Sequence, residues 1–150
     1  MGRISQGDAI IISEQEHEAN SGVWRRLEFY GVEVRIWPVD EVDGRLHINR
    51  LKPLLDQAVK MVAMTHCSNL VGEINPVRDV ADLVHQSGAI LLVDGVSYCP
   101  HGFPNVNEIG ADIYLFSTYK TYGPHQGVMV IRKSAWQLLD PQAHFFNHFD

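Results

Sequence analysis

Four consecutive apolar residues, Ile90-Leu91-Leu92-Val93, run directly into Asp94-Gly95. Successive side chains of a strand point to opposite faces, so this stretch is apolar on both and needs cover on both. Central strands of a parallel sheet meet that demand, because crossover helices lie over each face. Ala9-Ile10-Ile11-Ile12, Met61-Val62-Ala63-Met64 and Ile113-Tyr114-Leu115-Phe116 have the same character. Val32-Glu33-Val34-Arg35-Ile36-Trp37 instead alternates with period two, as an edge strand does, and Gly127-Val128-Met129-Val130-Ile131-Arg132 supplies a sixth strand. Between the strands lie helix patterns. Asn20 or Ser21 caps a helix carrying Val23, Trp24, Leu27 and Tyr30, which Gly31 stops. Asp43-Gly44 marks a turn, and a helix from Ile48 to Ala58 holds Pro53 in its first turns. Pro76 opens a helix from Val77 to Gln86 with Val80, Leu83 and Val84 on one face and Gly88 as its stop, and a short helix covers Ala135 to Leu139. The alternation predicts an α/β fold in one domain over residues 1–150, a three-layer arrangement with helices on both faces of a mostly parallel sheet whose last strand is antiparallel.

Composition narrows the partners. A net charge of −6 opposes a nucleic-acid surface, which needs clustered Lys and Arg. No apolar run approaches the length that crosses a bilayer, and Met1 to Asp8 has no apolar signal region, so the expected setting is cytoplasmic and away from membranes. Cys67 and Cys99 form no CxxC pair and read as buried packing in a reducing compartment, not as a disulfide or metal site.

Three strands deliver polar clusters at their carboxyl ends: Thr65 to Asn69, Asp94 to Ser97, and Ser117 to Lys120. In open α/β sheets that rim is where ligands sit. Lys120 follows a buried strand, lies among Thr118, Tyr119, Thr121 and Tyr122, and precedes Gly123-Pro124, unlike an ordinary solvated lysine. A lysine in such a place suits imine formation, which needs the free amine. Asp94 suits a pyridine nitrogen, whose proton a carboxylate retains. Hydroxyls and glycine amides from Ser117 to Gly123 can hold phosphate without a basic cluster, with Ser117 and Tyr119 as donors.

The strings EQEHEAN, THCSNLVGEINP, LLVDGVSYCPHG and FSTYKTYGPHQGVMV, in that order, resemble the large domain of class V aminotransferase enzymes, which use pyridoxal 5'-phosphate (PLP). That group includes cysteine desulfurases, kynureninase and isopenicillin N epimerase, and YCPHG with YKTYGPHQG is most similar to its cysteine-desulfurase-like branch. The resemblance implies an incomplete large domain, lacking the family's N-terminal segment and C-terminal small domain. It implies Lys120 as the Schiff-base lysine and Asp94 as partner of the ring nitrogen. His17 is implied to stack on the ring, Asn69 to lie near the ring hydroxyl, and Ser117 to bind phosphate. Tyr119 stands where desulfurases place His, and Ser97 where they carry Gln; both are expected to contact the cofactor while pointing away from a strict desulfurase. An amino-acid substrate and a homodimer are further expectations of the resemblance.

Other readings compete less well. His144 and His148 are four apart but lack the glutamate of a zinc-protease helix, and no metal is expected. A dinucleotide site needs GxGxxG after the first strand, where Ser13-Glu14-Gln15-Glu16-His17 stands. His101 and His125 fall near the rim, within reach of substrate or phosphate. The remaining rival is a fragment without catalysis that keeps the fold as a binding module, with Phe145-Phe146-Asn147-His148-Phe149 as an association surface.

Overall fold

The computed structural model describes residues 4–137 and 139. Its strands are β1 (Ala9–Ser13), β2 (Glu33–Trp37), β3 (Val59–Thr65), β4 (Ile90–Asp94), β5 (Ile113–Ser117) and β6 (Gly127–Ile131). They form one sheet in the order β2-β1-β3-β4-β5-β6, parallel throughout except for the antiparallel β5/β6 pair. The strands with continuous apolar runs took the interior places. Alternating β2 lies at one edge, and half-exposed β6 lies at the other.

Each central strand divides its side chains between two cores. Ile11, Val62, Met64, Leu91 and Val93 pack on one face with Val77, Val80, Ala81 and Val84 of α3 (Val77–Gln86). Ile10, Ile12, Met61, Ala63, Leu92 and Ile113 pack on the other with Trp24 and Leu27. Helical cover on both faces is the layered α/β arrangement that the apolar runs demand.

Several helices are shorter than their patterns suggested. The first helical stretch is broken into a 3₁₀ turn at Glu18–Asn20, α1 (Gly22–Arg25) and a second 3₁₀ turn at Arg26–Tyr30, which Gly31 ends at φ 78°. Ser21 offers no side-chain cap there, and Tyr30 stands exposed. The expected helix from Ile48 to Ala58 is only α2 (Ile48–Leu51), followed by a 3₁₀ turn at Lys52–Leu54. Pro53 offers no amide to continue an α-helical ladder, and Leu55 is already extended, so the chain leaves the helix early. α3 has its expected bounds, with Leu83 at the margin of the core. After the short α4 (Val106–Ile109), the last helix, α5, spans Lys133–Trp136, earlier than expected. His144, His148 and the aromatic stretch at 145–149 lie outside the described residues.

Because β1, β3, β4 and β5 are parallel, Ser13, Thr65, Asp94 and Ser117 end on one rim. Thr65 pairs with Asp94 across β3/β4, and Asp94 with Leu115 across β4/β5. Side-chain alternation puts Thr65 and Asp94 on the same face as Ala63 and Leu92.

Candidate active site

The turn leaving each strand decides what its polar residues can do. After β4, one carboxylate oxygen of Asp94 accepts the Val96 amide at 2.8 Å. That contact closes a tight turn, in the way Asp side chains commonly do. Asp94 is buried, and its second oxygen has no hydrogen-bond partner among the described residues. After β1, His17 is extended and caps the Glu18–Asn20 turn, its Nδ1 accepting the Ala19 amide at 3.1 Å. An accepting Nδ1 carries no proton, so the neutral ring has its hydrogen on Nε2.

After β5 the chain winds through a 3₁₀ turn at Thr118–Thr121. The Gly123 amide donates to the Thr118 carbonyl at 2.8 Å, and the Thr121 hydroxyl donates to the same oxygen at 2.9 Å. Tyr122 closes the turn at φ 63°, a left-handed conformation that costs a non-glycine residue about 1–3 kcal/mol. This compact loop carries Lys120, which is half-buried and forms no salt bridge or hydrogen bond among the described residues. The Tyr119 ring stacks on His125 with centroids 4.9 Å apart.

These turns surround one hollow of about 190 Å³, walled by His17, Asn69, Asp94, Ser97, Tyr119 and Lys120, with Ala19, Thr65 and Val96 between them. Pockets for drug-sized ligands run from about 300 to 1,000 Å³, so this one suits a single small ring. Six of the seven residues singled out from sequence therefore meet around one space. Ser117 does not line it. That residue is still paired with Gly127 inside the β5/β6 ladder, one step short of the turn. His101 and His125 also lie outside the lining, His125 being engaged with Tyr119.

Two supporting groups were not singled out in the sequence. Glu16 accepts hydrogen bonds from the Ser13 hydroxyl and, at 2.6 Å, from the Asn20 amide, and Asn20 in turn accepts the Trp24 indole N–H at 3.1 Å. Burial, and then the negative charge of Asp94, push the Glu16 carboxyl up to about 7 against the pull of the Ser13 and Asn20 bonds. On the other face, His66 Nδ1 meets the Tyr114 hydroxyl at 2.8 Å, and its ring stacks on Tyr98 at 3.6 Å. Burial lowers His66 to about 4, which keeps it neutral, and raises the Tyr114 phenol. Cys67 and Cys99 are buried free thiols, raised by burial, as their packing role requires. Glu16 had only its adjacency to His17 as a signal, and a glutamate in a polar string reads as solvated.

The lining chemistry fits PLP. Lys120 offers an amine and Asp94 a carboxylate oxygen, each without a hydrogen-bond partner among the described residues, and His17 offers a ring on the wall. Ser97 and Tyr119 bring hydroxyls able to meet a phosphate, while the Thr65 hydroxyl is committed to the Cys67 carbonyl at 2.9 Å. The sequence model of the family Aminotransferase class-V matches residues 1–144. The chain belongs to the class V aminotransferase family. An aminotransferase-like protein, FGM3, of Gibberella zeae is 40% identical over 148 residues, which are 97% of this chain and 37% of that protein. A cysteine desulfurase of Yersinia pestis is 38% identical over 133 residues, 88% of this chain and 32% of the relative. The apo structure of a cysteine desulfurase from Thermococcus onnurineus superposes with a TM-score of 0.84 at 28% identity, covering 92% of this chain and 35% of that one. The chain thus spans about a third of the length of the relatives it matches.

Proposed function

We propose that the protein is the cofactor-holding core of a PLP-dependent enzyme that acts on an amino-acid substrate through a Schiff base at Lys120. One observation carries the reading: Lys120, without an acidic partner among the described residues, and Asp94, with an oxygen to spare, line the same hollow although they are remote in sequence. Bound there, PLP supplies the electron-withdrawing ring that chemistry at an amino acid's α-carbon requires. Asp94 retains the proton on the ring nitrogen. His17 packs its ring against the cofactor face, and Nδ1 stays occupied by the Ala19 amide so that the imidazole keeps one orientation. Ser97 and Tyr119 would donate to phosphate oxygens, and Asn69 to the ring hydroxyl. Lys120 Nζ would supply the amine that holds the cofactor and would take or return a proton at the substrate α-carbon.

The reading extends to a cytoplasmic homodimer. Both cysteines are free thiols, as a reducing compartment leaves them, and among the described residues no helix is long and apolar enough to cross a membrane. Leu70 and Val71, directly after Asn69, stand exposed where a second copy can cover them.

The experiment is spectroscopic. PLP added to the purified protein is expected to produce a new absorbance band that borohydride fixes onto the peptide containing Lys120, with a sedimentation mass of two chains. Lys120→Ala is expected to lose the fixed label entirely. An unchanged spectrum, or a label that survives in Lys120→Ala, overturns the reading; an unchanged spectrum leaves the fold as a binding module without catalysis.

A further inference from the structure

Two buried amide side chains join the segments behind the hollow. Asn75 is the last residue before Pro76, the cap of α3. Its Nδ2 donates to the Thr65 carbonyl at the end of β3, at 2.9 Å, and to Gln15 Oε1 at 3.0 Å. Gln15, two residues past β1 and two before His17, is buried as well, and its Nε2 donates to the Gly44 carbonyl at 2.6 Å. Asn75 also closes a loop. Its backbone amide donates to the His66 carbonyl at 2.8 Å, Ile74 bridges to Cys67, and the Ser68 amide donates to the Glu73 carbonyl at 3.0 Å. Asn69, near the start of that loop, lines the hollow, as does His17, whereas Gln15 and Asn75 do not. The β1/β3 ladder ends at the Ile12–Ala63 pair, and the Asn75–Gln15 bond carries the connection between the two segments beyond it.

We propose that Asn75 and Gln15 are positioning residues: their bond fixes the Asn69 loop and the His17 segment against one another, and with them two walls of the hollow. The inference rests on the PLP reading only for what the hollow holds. Both protons of the Asn75 amide are used, one by Thr65 and one by Gln15, so the side chain has a single orientation. A buried amide left without its partner loses more than the bond is worth in water, so the pair resists opening. The tip of the loop gains no such hold from packing. Leu70 and Val71 stand exposed, and their amides are held only by the Ser68 hydroxyl, at 3.3 Å each. Where Asn69 sits therefore depends on the base of the loop, and Asn75 ties that base to the segment carrying His17.

The first test needs no cofactor. Gln15→Ala removes one acceptor of the Asn75 amide and leaves the backbone contacts of the loop in place. In amide hydrogen exchange on the whole protein, the Ser68 and Gly72 amides, bonded to Glu73 and Ser68, are expected to exchange roughly 3- to 10-fold faster, as the loss of one buried hydrogen bond dictates. The amides within α3 are expected to keep their wild-type rates. Unchanged protection at Ser68 and Gly72, or an equal acceleration through α3, overturns the proposal. The second test reads bound PLP. Gln15→Ala is expected to raise the PLP dissociation constant roughly 3- to 10-fold and to shift the absorbance maximum, because Asn69 no longer meets the ring hydroxyl squarely. In an Asn69→Ala background, the same Gln15→Ala change is expected to give no further shift. A purely structural pair leaves the maximum in place, or moves it equally with and without Asn69, and either result also overturns the proposal. Failure to bind PLP at all removes the functional reading, while hydrogen exchange still decides whether the pair holds the loop.

Discussion

One oxygen of Asp94 is committed to the Val96 amide and holds the turn leaving β4, while the other meets the hollow. The two can be separated by experiment. Asp94→Asn keeps a carbonyl oxygen that accepts the Val96 amide, so the turn survives, yet the charge lining the hollow is gone. A hydrogen bond to a charged group contributes about 1.5–3 kcal/mol. The PLP dissociation constant is therefore expected to rise roughly 10- to 100-fold with little change in melting temperature. A large fall in melting temperature with unchanged PLP affinity would show that the carboxylate serves the turn alone. Residues of this kind were legible in the sequence because they break a rule: Asp94 follows four apolar residues, and Lys120 follows a buried strand without an acidic neighbour. Glu16 breaks no rule, since its burial comes from Ser13, Asn20 and Asp94 arriving by way of the fold. Ser117 is the last residue of β5, and sequence does not show that the β5/β6 ladder extends through it to pair it with Gly127.

At the scale of the element, strands were easier to place than helices. The apolar runs fixed which strands are central, because burial on both faces leaves no other place for them. Helices of four or five residues carry little periodicity, and their ends are set by a single residue such as Pro53 or by packing against the sheet. The turn after β4 depends on a contact between elements. A Cβ at Gly95 would overlap the hydroxyl and ring of Tyr114, which reaches across from β5. Tyr114 is itself buried, held by His66, and cannot swing aside without unpairing that histidine. Gly95→Ala is expected to destabilise the protein by about 1–3 kcal/mol or more, as overpacking does. It also displaces the Asp94 turn, so PLP affinity falls together with the urea midpoint. Wild-type stability in Gly95→Ala would mean that Tyr114 has room the packing does not show.

At the scale of the whole molecule, two titratable groups near the carboxyl rim act on folding in opposite directions as pH changes. The folded protein raises Glu16 to about 7, so it binds that proton more tightly than the unfolded chain does. This contribution is full below the ordinary carboxyl range and is lost as pH rises through 7. His66, lowered to about 4, is held neutral by the fold; its contribution is full above the ordinary imidazole value of 6.5 and is lost as pH falls toward 4. Each amounts to roughly 3 kcal/mol across its range. Between about pH 5 and 6.5 the two slopes oppose, and the unfolding free energy of the wild-type protein is expected to change little over that window. Glu16→Gln removes the falling slope, and the stability of the variant is then expected to rise with pH through the same window, as His66 alone dictates. His66→Gln is expected to do the reverse, leaving stability that falls toward neutral pH. Urea titrations at several pH values distinguish these cases. If wild type and Glu16→Gln share one pH slope, then Glu16 does not hold its proton through folding.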